Sequence, residues 1–483
     1  MLAVAASSTR HIPEHQSSTS RFPTCRTQGP VDRADEEAVS SGLAISRRSK
    51  PSAHTLPSVS ASSSRVNLRR LAAIALMLPL LGCSASAVEP AAAPSATQST
   101  TSSNSRQGLT RATVDALVKT ARADDRAGFY RLISDRDPSF PDRARLLYDN
   151  LSTLPLTRLQ IRMEPTEFAL TDARRKVVLG PSAWAQRGVV IWRLPGDGTE
   201  VEHVIWLTFL EAAGEVKLAG TSDEQSGKSK VQQPSWWLGP IAARERSGVT
   251  LLAGSGQSLD RWTKLAAAAL ANVRQELPAG LGIPWNGEVV IEVPATQRDF
   301  ESVLGKPAGD YSSIAAVTHH AGASGAAIRI VANPKAAQLS SKALQTVLEH
   351  EMVHVATRSP DSPAPIWAEE GLAEWVSLRA HQGQRSEGTD EVLIRVRSDG
   401  APSSFPTDRQ FQAGARNLHL AYAEAWLACR FIADRYSEAQ LARFYAQLND
   451  GRSVDEATRS TFGLSGTALT TQWREYLDQL ARY

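Results

Sequence analysis

The pattern of hydrophobic and polar positions in the region 108–235 predicts helices first and strands after them. Hydrophobic residues recur at helical spacing over 109–132, with a break near the Asp124-Asp125 pair, and a second helix is predicted over 142–154. Alternating or short apolar runs predict six strands, at 160–163, 167–171, 176–179, 188–193, 203–210 and 216–219. The turn segment 195–198 (Pro-Gly-Asp-Gly) predicts that the fourth and fifth of these strands form a hairpin.

This order of elements is similar to that of the cone-shaped NTF2-like domain. We therefore predict an NTF2-like α+β domain over 108–235. Its tryptophans alternate with polar neighbours, which is more typical of a core than of a ligand platform: Trp184, Trp192 and Trp206. The polar segment 224–233, rich in Gly, Ser and Lys, marks the predicted boundary with the next domain.

The region 236–483 has a different pattern, with few strands and many helices. Strands are predicted at 248–253, 288–293 and 328–331, together with a long amphipathic helix at 259–276. From Ser341 to the C-terminus the pattern is helical almost throughout. This second domain is therefore predicted to be α+β, with a small mixed sheet followed by a helical lobe.

The N-terminal region has the features of an export signal and a tether. Arg69 and Arg70 precede an apolar run of about 11 residues, too short to span a bilayer as a mature helix. The sequence Leu-Leu-Gly-Cys at 80–83 resembles the bacterial lipobox, which implies a signal peptide over 66–83 and lipidation of Cys83; the alternative is a buried core helix. Residues 84–107 are predicted to be a Ser/Thr/Ala/Pro tether. Residues 1–65 are predicted to be disordered, or to precede a true start of translation at Val66.

Composition excludes several classes of function. The chain has 483 residues, too many for one compact core, and its formal net charge of +3 gives no reason to propose a nucleic-acid partner. Three cysteines are present, too far apart for a disulfide framework or a cysteine metal site: Cys25, Cys83 and Cys429. Any metal must therefore be bound by histidine and carboxylate side chains.

One predicted helix carries two histidines at a spacing suited to a metal ion. Ser340 offers an N-cap, and apolar residues continue at helical spacing as far as Thr357. His350 and His354 are one turn apart and therefore share one face, where both imidazoles can bind a single Zn²⁺. Glu351 is next to the first histidine and is offset enough to act as a general base on a water at the metal.

A second motif follows this helix and strengthens the zinc interpretation. The pattern His-Glu-x-x-His at 350–354, followed by Trp-x-x-Glu-Gly-x-Ala at 367–373, resembles that of the gluzincin metallopeptidases, in particular the peptidase MA-like group. The resemblance implies that Glu370 is the third zinc ligand. It also implies that Glu374 orients the first histidine, as outer carboxylates commonly do at zinc sites. Glu369 is expected to be a solvated surface charge.

A gluzincin also needs a donor for the oxyanion that forms on the peptide carbonyl. The segment 420–426 resembles the one that supplies a tyrosine in the aminopeptidase branch, which implies this role for Tyr422; the alternative is a tyrosine that lines the core. His419 and Tyr436 are weaker candidates for the same role.

The chain departs from the aminopeptidase pattern on the strand before the zinc helix. Those enzymes carry Gly-x-Met-Glu-Asn on an edge strand, and the Glu binds the free amine of the substrate. The corresponding stretch here, 325–333, contains no acidic residue, so exopeptidase activity is not supported. That edge strand is still expected to pair with an extended peptide. His319 and His320 are expected in a solvated loop before it, with the cleft as the alternative.

These observations predict a zinc metallopeptidase, most simply an endopeptidase, with one Zn²⁺ per chain and peptide or protein substrates. Lipidated Cys83 would anchor it to the extracytoplasmic face of a bacterial cell membrane. The main alternative is a non-catalytic binding lipoprotein with a vestigial zinc site, and another is a purely structural zinc. A structural site normally has a fourth protein ligand, and no Cys or His is evident for that position.

Overall fold

The computed structural model describes residues 97–223, 231–309, 311–323, 325, 327–381, 383–412 and 415–483. Leu109–Tyr483 belong to one compact unit. The predicted signal peptide with Cys83, the segment before it, residues 84–96 of the tether and most of the predicted boundary segment lie outside the described residues. Among the helices of the described part, none is long and apolar enough to cross a membrane.

The first half of the described chain is a helical layer followed by an antiparallel sheet. The sheet has four strands in the order β1-β2-β3-β4, each paired with its neighbour in sequence. The elements are α1 (Thr97–Arg122), α2 (Arg126–Arg131), α3 (Phe140–Thr153), β1 (Arg158–Ala169), α4 (Ala173–Leu179), β2 (Ala183–Arg193), β3 (Val201–Ala212) and β4 (Glu215–Gly220).

The second half contains a mixed sheet and then only helices within the described residues. The sheet has the order β5-β6-β7-β9-β8; β6, β7 and β9 are parallel, whereas β5 and β8 are antiparallel strands at its two edges. The elements are α5 (Ser235–Leu238), β5 (Ile241–Arg246), β6 (Val249–Gly254), α6 (Leu259–Glu276), β7 (Val289–Val293), α7 (Gln297–Val303), β8 (Ala316–Ala321), β9 (Ala327–Ala332), α8 (Ser341–Ala356), α9 (Ile366–Arg379), α10 (Thr389–Asp399), α11 (Leu418–Arg435), α12 (Glu438–Asn449), α13 (Val454–Phe462) and α14 (Gly466–Leu480).

The α+β class, the small mixed sheet and the helical C-terminal part are confirmed. Helices α3 and α6 lie where the periodicity predicts them, and β2 and β3 form the predicted hairpin. The resemblance of the first half to an NTF2-like domain, and the domain boundaries, stay predictions. Trp184 and Trp192 are buried in a core cluster as predicted, whereas Trp206 is half-buried and packs against a smaller one.

Residues 97–107, the last part of the predicted tether, are helical and begin α1. No proline or glycine interrupts the chain between Thr97 and Gln107. Once the amphipathic segment downstream has nucleated a helix, each further residue adds one hydrogen bond for the residue that it fixes. Polar composition alone therefore did not indicate where this helix begins.

Three of the predicted strands differ in the structure. The run 160–163 and the first three residues of the run 167–171 belong to the single strand β1, which ends at Ala169. The pairing of β1 with β2 shifts register between Met163 and Glu167. The run 176–179 is not a strand but part of α4. The Asp172 carboxylate caps this helix by accepting a hydrogen bond of 2.8 Å from the Arg175 N–H, and such a cap outweighs the strand preference of two valines.

The edge strand near the zinc motif is also different from the prediction. The stretch 328–331 forms β9, an inner strand, and the edge position belongs to β8, which the sequence pattern did not reveal. His319 and His320 lie on β8 and not in a solvated loop. The hairpin between the two strands turns through Gly322 and Gly325, both with positive φ. The formation of β8 therefore depends on this turn and on pairing with β9, and not on a local alternating pattern.

A buried ion network joins the two sheets. Arg329 on β9 is fully buried, and its guanidinium donates to both carboxylate oxygens of Asp197, at 2.9 and 2.6 Å, and to Glu292 on β7 at 2.8 Å. Asp197 belongs to the turn between β2 and β3, and the Arg329 guanidinium also lies 4.1 Å from the centre of the Trp192 ring. Burial lowers the pKa of Arg329, but the two carboxylates more than offset this and raise it. The network therefore holds the turn between β2 and β3 against the five-stranded sheet that precedes α8.

Candidate metal centre

Helix α8 positions the two histidines. It begins after Ser340, whose hydroxyl accepts a hydrogen bond of 3.2 Å from the Ala343 N–H, and it ends at Thr357. An apolar stripe buries one face of α8 against α6 and the sheet. His350 and His354 lie one turn apart on the opposite face, with ring centroids 4.8 Å apart, and both are buried.

Helix α9 brings a carboxylate to these histidines because it packs closely between α8 and α11. Gly371 makes the close approach: a Cβ atom there would lie 2.8 Å from the Ala425 carbonyl carbon and 2.9 Å from Cys429 Sγ, both on α11. Close packing of α9 against α11 therefore explains why a glycine follows Glu370 in the motif. It fixes the distance between the helix that carries Glu370 and the helix that carries Tyr422.

We predict that Gly371→Ala destabilises the protein and weakens zinc binding. An added methyl group must push α9 away from α11, and overpacking of this kind costs about 1–3 kcal/mol. Denaturant unfolding and zinc titration check both effects. Gly466→Ala is the control, because the new methyl on α14 would meet neighbouring atoms only at 3.4 Å or more. Equal stability of the two variants would contradict the packing role of Gly371.

Three potential ligand atoms converge in the space between the helices. His350 Nε2 lies 3.1 Å from His354 Nε2 and 3.1 Å from Glu370 Oε2, and His354 Nε2 lies 3.3 Å from the same carboxylate oxygen. All three residues are buried. Ligands at about 2.0–2.1 Å around a tetrahedral zinc ion are about 3.4 Å from each other, so this donor set fits zinc in both chemistry and spacing.

Outer hydrogen bonds orient both imidazoles. His350 Nδ1 lies 3.3 Å from Glu374 Oε2, and His354 Nδ1 lies 3.0 Å from Ser359 Oγ, in the 3₁₀ turn Ser359–Asp361 after α8. With the Nδ1 atoms engaged in this way, the Nε2 atoms are left to face the carboxylate of Glu370. The structure therefore places Glu374 beside the first histidine of the motif. No sequence pattern indicated a role for Ser359.

The electrostatics of the cluster favour a positive charge. Burial lowers the pKa of His350, but hydrogen bonds and negative charge from Glu370 and Glu374 more than offset this and raise the pKa to about 10. Burial raises the pKa of Glu370, yet the charges of and hydrogen bonds from His354 and His350 hold the pKa well below its ordinary value. Two buried carboxylates that stabilise a proton on His350 also attract a metal cation to the same space.

Glu351 lies beside the three potential ligands, and its two carboxylate oxygens differ in their hydrogen bonding. Its Oε2 atom accepts a hydrogen bond of 2.6 Å from the Thr318 hydroxyl on β8, whereas its Oε1 atom is buried and has no hydrogen-bond partner among the described residues. Burial raises the pKa of Glu351 to about 7, although the charge of His350 and the Thr318 hydrogen bond act in the opposite direction. The sequence pattern does not predict the contact between Thr318 and Glu351, because it does not predict a strand at the position of β8.

Tyr422 on α11 also reaches the cluster. Its ring centre lies 6.2 Å from that of His350. Burial and the neighbouring carboxylates raise the pKa of Tyr422 well above its ordinary value, so the hydroxyl keeps its proton and remains a donor.

The weaker donor candidates have partners outside this cluster. His419 Nε2 lies 3.0 Å from Glu391, and the Tyr436 hydroxyl donates to Gln472 at 2.5 Å. The expectation for Glu369 is wrong: this side chain is buried and not a solvated surface charge, because α9 is enclosed by α8 and α11. A helix enclosed on several sides has no solvated face for the periodicity to reveal.

Comparison with known proteins supports a peptidase for the C-terminal part. Residues 321–479, about a third of the chain, match the family model of the Peptidase MA superfamily. This match supports a zinc metallopeptidase of the gluzincin type. A comparison with curated protein sequences finds no match.

Among solved structures, the M1 zinc metallopeptidase from Deinococcus radiodurans is similar at 12% sequence identity and a TM-score of 0.28. The alignment covers 61% of this chain and 61% of that one.

Proposed function

We propose that this protein is a zinc-dependent peptidase that hydrolyses internal peptide bonds. His350, His354 and Glu370 bind the metal, Glu351 is the general base, and Tyr422 donates a hydrogen bond to the reacting carbonyl oxygen. Three ligand atoms converge beside the Glu351 carboxylate, one oxygen of which has no hydrogen-bond partner among the described residues, and this convergence supports the proposal most strongly. The Peptidase MA match over the same residues supports it.

The residues divide the chemistry of hydrolysis between them. When bound, zinc supplies Lewis-acid activation of the attacking water and of the peptide carbonyl. Glu351 Oε1 accepts the proton that the water loses and later gives it to the leaving amine. The protonated Tyr422 hydroxyl stabilises the negative charge on the carbonyl oxygen. Glu374 and Ser359 keep the two imidazoles in the orientation that the metal needs.

The substrate is proposed to be an extended peptide whose free N-terminus, if it has one, is not bound by the protein. Residues 316–332, which cover β8 and β9, contain no acidic side chain to pair with an amine. Strand β8 pairs with β9 on one side, and on its other side the Gln232 side chain bonds the backbone at His320 and Gly322. A peptide strand is proposed to bind along the remaining outer edge of β8, where main-chain groups give affinity without sequence selection.

The test is hydrolysis of an unstructured peptide mixture by the full chain, before and after metal removal. We expect cleavage to stop after dialysis against a chelator and to return with Zn²⁺ but not with Mg²⁺, which prefers oxygen ligands. N-acetylated and free peptides should be cut equally, since no group binds the amine. Zinc binding without any hydrolysis would contradict the proposal and favour the non-catalytic binding lipoprotein.

We further propose that the protein acts at the extracytoplasmic face of a bacterial membrane, anchored through lipidated Cys83. The Leu-Leu-Gly-Cys sequence at 80–83 and the preceding apolar run support this location. Cys83→Ala should release the protein from the membrane fraction, with Cys429→Ala as the control for loss of a thiol. Retention of the Cys83→Ala protein in that fraction would contradict the anchor.

A further inference from the structure

Strand β8 lies beside the zinc helix, and one of its side chains points at the general base. Thr318 is in the middle of β8, paired with Ile330 on β9, and is almost completely buried. Its hydroxyl faces α8 and lies within hydrogen-bond distance of two oxygens of the same residue, Glu351.

The two distances show which acceptor the hydroxyl prefers. Thr318 Oγ1 lies 2.6 Å from Glu351 Oε2 and 3.1 Å from the Glu351 carbonyl oxygen. A threonine hydroxyl has a single proton to donate, and hydrogen bonds to a charged oxygen are shorter and stronger than those to a neutral one. The proton therefore lies towards the carboxylate oxygen Oε2.

The other carboxylate oxygen of Glu351 is left for a different task. Oε1 is buried and has no hydrogen-bond partner among the described residues. A buried acceptor without a partner is costly, so such an atom in a folded protein is commonly explained by a water or by a catalytic role. Because the carboxylate is planar, a hydrogen bond at Oε2 also fixes the direction of Oε1.

We propose that Thr318 is a positioning residue: it holds Glu351 through Oε2, so that Oε1 is the atom that accepts the proton of the attacking water. This role rests on the proposed peptidase function. In the step, one O–H bond of the water breaks, the proton forms a bond with Oε1, and the water oxygen bonds to the carbonyl carbon as the C=O π electron pair moves onto the carbonyl oxygen. Thr318 keeps its own proton throughout. The C=O bond then re-forms, the C–N bond breaks, and Glu351 passes the captured proton to the leaving amine nitrogen.

Two substitutions separate this role from simple space filling. Thr318→Val keeps the shape of the side chain and removes the hydroxyl, whereas Thr318→Ser keeps the hydroxyl and removes a methyl group. We expect Thr318→Val to bind zinc like the wild type and to lose about 10- to 100-fold in kcat, with KM changed by about twofold or less. Thr318→Ser should recover most of the lost kcat.

The outcomes distinguish failure of this role from failure of the proposed function. A wild-type kcat in Thr318→Val, or a loss in Thr318→Val that Thr318→Ser does not recover, would overturn the role of Thr318 alone. An inactive wild-type chain would overturn the proposed function and this role with it.

A measurement without zinc or substrate tests the contact itself. In the metal-free full chain, Thr318→Val should lower the denaturant midpoint when Glu351 is present. In a Glu351→Met background the same change should have little effect, because the carboxylate that needs the hydroxyl is gone. Additive shifts of the midpoint in this double-mutant cycle would overturn the proposed positioning contact.

Discussion

Glu351→Gln is expected to abolish most of the peptidase activity while the protein stays folded and binds zinc. Glutamine has nearly the same shape as glutamate, but its amide cannot accept the proton of the attacking water. A positioned general base contributes about 10²- to 10⁴-fold to a rate, and we expect kcat/KM to fall by that amount. Steady-state hydrolysis of a peptide that the wild type cleaves measures the loss.

The control for this variant is Glu475→Gln, the same chemical change at an exposed position on α14. It should leave kcat/KM unchanged. The zinc content of Glu351→Gln should equal that of the wild type, since its carboxylate is not one of the three converging ligands. Wild-type activity in Glu351→Gln would contradict its role as the base. Loss of zinc would show instead that the substitution disturbs the ligands.

Arg329→Met is expected to cause the largest loss of stability. The side chain is fully buried, and its removal leaves the carboxylates of Asp197 and Glu292 buried without their cation. Loss of one partner of a buried ion pair typically costs about 3–5 kcal/mol, much of it the penalty of the unpaired charge that remains. Denaturant unfolding of the full chain should therefore show a much lower midpoint than that of the wild type.

Two further variants make the interpretation specific. Arg244→Met removes an arginine from the edge strand β5, where its pair with Asp260 is exposed, and should cost at most about 1 kcal/mol. Replacement of all three network residues, Asp197→Asn, Glu292→Gln and Arg329→Met, should recover part of the loss because no buried charge remains. If Arg329→Met were as mild as Arg244→Met, the network would not hold the hairpin turn against the sheet.

The sequence predicts best where chemistry and local geometry coincide. His350 and His354 are four residues apart on one helix, so their meeting follows from helical periodicity alone. The positions of Glu370 and Glu374 follow from a second helical motif, once the resemblance to gluzincins relates the two helices. The structure brings these four side chains together.

The contacts that the sequence does not predict depend on long-range pairing. Thr318 meets Glu351 only because β8 turns back along β9, and a strand of six residues with two adjacent histidines has no clear alternating pattern. Arg329 meets Asp197 across 132 positions of sequence, between two parts predicted as separate domains. Such contacts are set by register and packing, which local patterns do not contain.

Helix burial explains the remaining error at the site. The expectation that Glu369 is solvated assumed that α9 has an outer face, as an amphipathic surface helix does. Instead, nearly every residue of α9 is buried between neighbouring helices. Gly371 contributes to this burial, because its contact with α11 determines how close α9 can lie to that helix.

His350, His354 and Glu370 are proposed to form a zinc site, and the metal content of the protein tests this most directly. Elemental analysis of the purified full chain should find about one zinc per chain in the wild type and very little in Glu370→Ala, because a catalytic site has three protein ligands. Glu369→Ala, at the neighbouring position on α9, is the matched control and should retain zinc. A wild-type protein without zinc, or a Glu370→Ala variant with as much zinc as the wild type, would contradict the account.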